Sequence, residues 1–155
     1  MKKILLIIVM VLLALSCKKE DLIINLPAMS ATINESEWTT ISRVTRLEGD
    51  KFVIAGTSVD GEVLTVTIFG TTTGIYELSL TSATCAAVYT ESASNPSLED
   101  TYISVTGEVN LNEVNTSSKK ISGTFSFTLL RNLTETMEIT NGIFNNLTYT
   151  VHDED

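Results

Sequence analysis

Nucleophilic catalysis by serine or cysteine needs a base beside the nucleophile, and the chain holds one histidine, His152, set in the acidic run His152-Asp153-Glu154-Asp155. In that setting it reads as a solvated side chain. Cys85, within Thr84-Cys85-Ala86-Ala87-Val88, reads as a small buried hydrophobe rather than a reactive thiol. A paired-carboxylate hydrolase needs two acids flanking a cleft. Asp60 sits in a turn, and the alternation puts Glu62, Glu77 and Glu108 on wet strand faces. Only Glu99-Asp100, closing a long loop, stands where function often resides, and these two carry a hydrolase reading. Calcium takes about six to eight oxygens. Glu91, Asn95, Glu99 and Asp100 lack the tight Asp-x-Asp spacing of such a site, and one His with one free Cys is a poor zinc set. No catalytic set, metal or cofactor is expected. Trp38 is a core residue or, in a second reading, a platform against which a ligand stacks. Tyr89, Tyr102 and Tyr149 are scattered in sequence, so no aromatic strip is read. The candidate ligand contacts are therefore Trp38, Glu99 and Asp100.

The elements that would position these residues are strands. Thr, Val and Ile abound from Met29 onward, which suits a pleated, half-buried surface. Leu64, Val66 and Ile68 alternate with Thr65 and Thr67. Ile103, Val105, Gly107, Val109 and Leu111 form a second apolar set, and Ile121, Gly123, Phe125, Phe127 and Leu129 a third. Period two with a polar second face predicts antiparallel sheet, one side in the core and one side wet. Asp60-Gly61 predicts a hairpin turn, Arg131–Thr134 another, and Asn141-Gly142 either a turn or a bulge in a long last strand. Glu91–Asp100, with Asn95-Pro96, is the one long loop. Eight or nine strands at this spacing predict a single all-β domain, an antiparallel β-sandwich, with a flattened up-and-down barrel as the alternative.

Ahead of the domain, Met1-Lys2-Lys3 and the apolar run Ile4 to Leu15 have the form of a secretory signal peptide. Such a run rises roughly 18 Å as a helix, short of the ~30 Å hydrocarbon core. Leu13-Ala14-Leu15-Ser16-Cys17 resembles the lipobox of bacterial lipoproteins, with Ala14 where that pattern favours Leu. The resemblance implies cleavage after residue 16, acylation of Cys17 and attachment to a membrane, since two or more acyl chains hold stably. The expected organisation is a signal peptide (1–16), a lipidated tether (17–27), the domain (28–151) and an acidic tail (152–155). Within the tether, Leu22-Ile23-Ile24-Asn25-Leu26 is apolar enough to dock as an edge strand ended by Pro27. Loss of residues 1–16 removes two lysines and no acid, leaving 8 basic against 19 acidic side chains, a net −11. So acidic a surface disfavours nucleic acid and anionic headgroups. Cys85 then stands alone, so the domain must be stable through its core.

Met29-Ser30-Ala31-Thr32-Ile33-Asn34-Glu35-Ser36-Glu37-Trp38, Lys120-Ile121-Ser122-Gly123-Thr124-Phe125-Ser126-Phe127 and Ile139-Thr140-Asn141-Gly142-Ile143-Phe144 resemble the phrases of a group of small, functionally uncharacterised lipoproteins from Bacteroidota. The likeness covers most of residues 29–149. Glu35 stands where the group usually has Gly, so the first turn is expected to differ. These phrases supply turns and core aromatics and carry no catalytic role. In that lineage Lys18-Lys19-Glu20-Asp21 resembles the signal that sends lipoproteins to the outer face of the outer membrane, an address read by a receptor. The expectation is a non-enzymatic binding or structural module at the outer membrane, surface-exposed with a periplasm-facing position as the alternative, joined to the membrane by lipid and contacting a protein, glycan or small molecule. A lipocalin-like barrel for an apolar ligand is the second expectation.

Overall fold

The computed structural model describes residues 28–94 and 97–152. The signal peptide, Cys17, Lys18, Lys19, Glu20, Asp21, the tether strand, Asn95-Pro96 and residues 153–155 lie outside the described residues. What is described is all-β. The strands are β1 (Met29–Ile33), β2 (Ser36–Thr39), β3 (Ser42–Glu48), β4 (Lys51–Thr57), β5 (Val63–Ile68), β6 (Gly74–Leu78), β7 (Cys85–Thr90), β8 (Thr101–Asn115), β9 (Lys120–Arg131), β10 (Glu135–Thr148) and β11 (Thr150–His152).

All of them belong to one sheet that curls into a half-barrel, not to two separately paired sheets. Its order is β11-β3-β4-β5-β7-β8-β9-β10-β1-β2, with β6 paired to β8 beside β7. Eleven strands exceed the expected eight or nine because three long runs are interrupted. β2 and β3 are separated only by Thr40 and Ile41, and β10 and β11 only by Tyr149. β6 and β7 share one edge of β8, at Gly107–Leu111 and Thr101–Ile103 respectively. Counted as continuous staves the strands are eight, each antiparallel to the next in sequence. The one parallel pairing, β11 with β3, occurs where the short β1 no longer lies between its neighbours.

Local chemistry explains the turns. Gly61 takes φ +85 after Asp60, and Ser58 N–H donates to Glu62 O at 2.9 Å. Asn34 and Glu35 both take positive φ, 45 and 67, in the two-residue loop between β1 and β2, the geometry that matches strand twist. Asn141-Gly142 is a bulge, not a turn. β10 shifts register between Ile139 and Gly142, and again between Phe144 and Leu147. At each shift an asparagine, Asn141 or Asn146, takes positive φ. These bulges keep Met137, Ile139, Gly142, Phe144 and Leu147 on the inner face while bending the strand around the core.

The core is filled. Phe52, Ile54, Leu64, Val66, Ile68, Val109, Leu111, Ile121, Leu129 and Ile139 are fully buried. Phe125 packs on Phe127 and Phe144 at centroid distances of 6.4 and 6.3 Å, and Phe52 meets Tyr149 edge-on at 5.1 Å. Two expectations need correction. Ile103 and Val105 do not share a face with Val109 and Leu111. A register shift between Ser104 and Thr106 reverses the phase, so Tyr102 points inward while Ile103 and Val105 are exposed. His152 is not part of a frayed tail but the last residue of β11, opposite Glu48.

Candidate functional site

Antiparallel order alternates the connections between the two ends of the curled sheet. The β1–β2, β4–β5, β7–β8 and β9–β10 connections all fall at one end. They carry Glu35 and Glu37, Asp60 and Glu62, Glu91 with Glu99 and Asp100, and Glu135, against a single cation, Arg131. Of the other five cations among the described residues, Arg43 is exposed on β3 opposite Gly56, near the rim end of β4, while Arg46, Lys51, Lys119 and Lys120 lie toward the other end. The rim so formed is strongly acidic.

Within it lies a concavity of about 290 Å³ lined by Ile33, Asn34, Ser36, Glu37, Trp38, Asp60, Glu62, Tyr89 and Met137. Trp38 reaches the inner side because β2 puts it opposite Ala31. Its ring also lies against β4 at Gly56, where a Cβ would stand 3.1 Å from Cη2. The residue is 4% exposed. Its indole nitrogen is sealed from solvent and has no hydrogen-bond partner. A donor left so costs about 1–3 kcal/mol.

Glu62 is held from two sides. Tyr89 Oη donates to Oε1 at 2.6 Å, and Ser58 Oγ donates to Oε2 at 2.9 Å. Burial, then the Glu62 hydrogen bond and its negative charge, push the Tyr89 phenol well above its ordinary range. Tyr89 in turn meets Tyr102 edge-on at 6.1 Å, and the Arg131 guanidinium sits 4.4 Å over the Tyr102 ring. Arg131 is clamped by Glu91 at 3.2 Å and by Glu135. A connected band of polar side chains therefore runs from Glu135 across the mouth to Ser58.

The residues marked in the sequence separate. Trp38 lines the mouth, though with its ring buried it offers no open face for stacking. Glu99 and Asp100 lie in a 3-10 turn, Leu98–Asp100, on the same rim but outside the concavity. The Asp100 carboxylate accepts from Ser97 Oγ at 2.7 Å, which ties it to its own turn. Glu62 and Tyr89 were not marked. The wet face expected for Glu62 is corrected, because it is in phase with Leu64, Val66 and Ile68, the buried set. That phase was the signal available. Cys85 is fully buried, and its thiol donates to Tyr76 O at 3.2 Å. Burial pushes that thiol up to about 11, far from the reactive range. Among the described residues no group of three or more His, Cys, Asp or Glu is placed to hold a metal.

A second concavity, of about 390 Å³, lies on the outer face between β8 and β9. It is lined by Thr101, Ile103, Val105, Leu130, Asn132 and Leu133. It is the product of the phase reversal in β8.

Comparison with curated proteins finds no match, and comparison with solved structures finds none. The sequence does match, over residues 25–148, a family described as a domain of unknown function, DUF6252. That span takes in β1 to β10 and both halves of the mouth, and the chain belongs to the DUF6252 family.

Proposed function

We propose that this protein is a lipid-tethered, non-enzymatic binding module, a closed eight-stave barrel that takes a small ligand at its acidic mouth. Support for closure comes from the seam. Thr40 N–H donates to Met29 O at 3.2 Å and Ile41 N–H donates to Thr57 O at 2.9 Å. The run β2–β3 thereby bonds to β1 with one half and to β4 with the other. β11 bonds β3 below the point where β1 starts. The up-and-down barrel is favoured over a sandwich by that continuity. The packed interior speaks for a ligand at the mouth rather than an apolar ligand inside, so the lipocalin-like reading is the weaker one. The tether reading rests on Leu13-Ala14-Leu15-Ser16-Cys17, and surface display at the outer membrane rests on Lys18-Lys19-Glu20-Asp21.

The observation that carries the binding function is the buried, unpartnered indole N–H of Trp38 on the wall of the mouth. A buried donor without a partner calls for an explanation, and an acceptor brought by a ligand supplies one. Trp38 is the chain's single tryptophan, so its emission reports on that place alone. Small-molecule fractions of a bacterial envelope extract, titrated against the mature chain, should include one that shifts Trp38 emission saturably. A folded protein that answers no fraction would remove the binding function. Separately, Cys17→Ala should move the protein from membrane to soluble fractions, and unchanged retention would remove the tether.

A further inference from the structure

We infer that the mouth selects a small organic cation, an ammonium or guanidinium group carried close to a carbonyl or hydroxyl oxygen. This rests on the mouth being the binding site, and adds what it binds. Two independent observations converge. The first is the Trp38 N–H, which lacks an acceptor and has only a donor's capacity, so a ligand that pairs it brings an acceptor, for which a carbonyl or hydroxyl oxygen serves. The second is the charge of the wall. Glu37, Asp60 and Glu62 line the concavity with no Lys, Arg or His among its lining residues.

Glu62 is the anchor among the three acids. A carboxylate has roughly four lone-pair sites, and the two bonds from Tyr89 and Ser58 use one on each oxygen. Those bonds fix the carboxylate's orientation while leaving it able to accept from a planar or tetrahedral cation, an interaction stronger than a neutral hydrogen bond. Arg131 cannot serve as that cation, because Glu91 and Glu135 hold it over Tyr102. Glu37 and Asp60 are exposed and add attraction at longer range, which raises the local concentration of cations at low salt. A neutral sugar is the weaker fit, because stacking needs an open aromatic face and that of Trp38 is buried. A ligand oxygen reaches the indole nitrogen only by displacing part of its cover, so binding must change the emission of Trp38.

The test is a titration of the mature chain, followed by Trp38 fluorescence, with three probes. These are argininamide, which has a guanidinium and a carbonyl oxygen, its neutral isostere citrullinamide, and glucose. Argininamide should give a saturable shift in the millimolar range that weakens with added salt, while citrullinamide and glucose give none. Glu62→Gln should weaken it by about tenfold, the scale of one charge-assisted contact. Because Glu62 braces Tyr89, the exposed pair Glu37→Gln and Asp60→Asn serves as a second, fold-neutral variant and should flatten the salt dependence. If citrullinamide or glucose binds as well as argininamide, the mouth is a binding site but the selection for cations is overturned. If argininamide leaves the emission unchanged while an envelope fraction shifts it, the cation assignment fails and the site stands. If neither the probes nor any fraction acts, both fail together.

Discussion

At the scale of single residues, three positions expose a tension between fold and chemistry. Glu35 holds φ +67 in the loop between β1 and β2, a region that costs an L-residue roughly 1 kcal/mol or more. Glycine tolerates it without strain. Glu35→Gly should therefore raise stability by about 0.5–1 kcal/mol in urea unfolding, and a loss would show that Glu35 makes a compensating contact. Cys85 and Tyr89 set the response to alkali. Each is a weak acid whose neutral form the folded chain favours, mainly through burial. Above about pH 9 the unfolded chain begins to release protons that the folded chain still holds, so stability is whole below that pH and falls as pH rises. For Cys85 the loss levels off near its folded value of about 11. Urea midpoints measured from pH 7 to 11 should fall in the parent and fall less steeply in Cys85→Ala and Tyr89→Phe. Equal slopes would mean that neither group is held neutral.

At the scale of elements, the sheet was legible wherever a strand keeps period two without interruption. Leu64, Val66 and Ile68 and the run from Ile121 to Leu129 are buried as their alternation requires. The alternation in β8 misleads because a bulge inserts one residue silently. Nothing in Ile103-Ser104-Val105-Thr106 marks the slip, and the next inward residues are again apolar. The inward Tyr102, packed between Tyr89 and Arg131, is what the reversed phase secures, and the exposed Ile103 and Val105 are its consequence. Val109→Ala should accordingly lower stability by about 1–3 kcal/mol, whereas Ile103→Thr should stay within about 0.5 kcal/mol. A comparable loss from both would place Ile103 in the core after all. The mouth was the least legible part. Trp38, Glu62 and Tyr89 lie on three different staves; the β5–β7 pairing sets Tyr89 beside Glu62, and the curl of the sheet brings Trp38 to the same mouth. Phase alone could have turned Glu62 inward, but no pattern within one strand could have shown that Tyr89 would meet it.

At the scale of the whole molecule, the direction of β1 gives the curled sheet an orientation. β1 runs toward the acidic rim, from Met29 beside Phe144 to Ile33 beside Ile139. The chain therefore enters the domain from the opposite end, where the β3–β4 turn at Gly49-Asp50 and the β8–β9 turn at 116–119 lie. Ten residues, 18–27, stand between Cys17 and the domain, and such a segment spans at most about 35 Å. If Cys17 is acylated as proposed, the end where the chain enters sits nearer the bilayer and the mouth faces away from it. Charge works the same way, because anionic headgroups repel the acidic rim more than the other end, where Arg46, Lys51, Lys119 and Lys120 offset Glu48, Asp50 and Glu113. The buried thiol at Cys85 makes the arrangement measurable, since a maleimide dye at neutral pH will take an introduced exposed cysteine in preference to it. With the lipidated protein on vesicles carrying headgroup nitroxides, a dye at Asp50→Cys should be quenched more strongly than one at Asp60→Cys. The difference should widen when the vesicles contain anionic lipid and narrow in high salt. Equal quenching at the two positions would mean that the tether lets the domain tumble, and stronger quenching at Asp60→Cys would mean that the mouth meets the membrane.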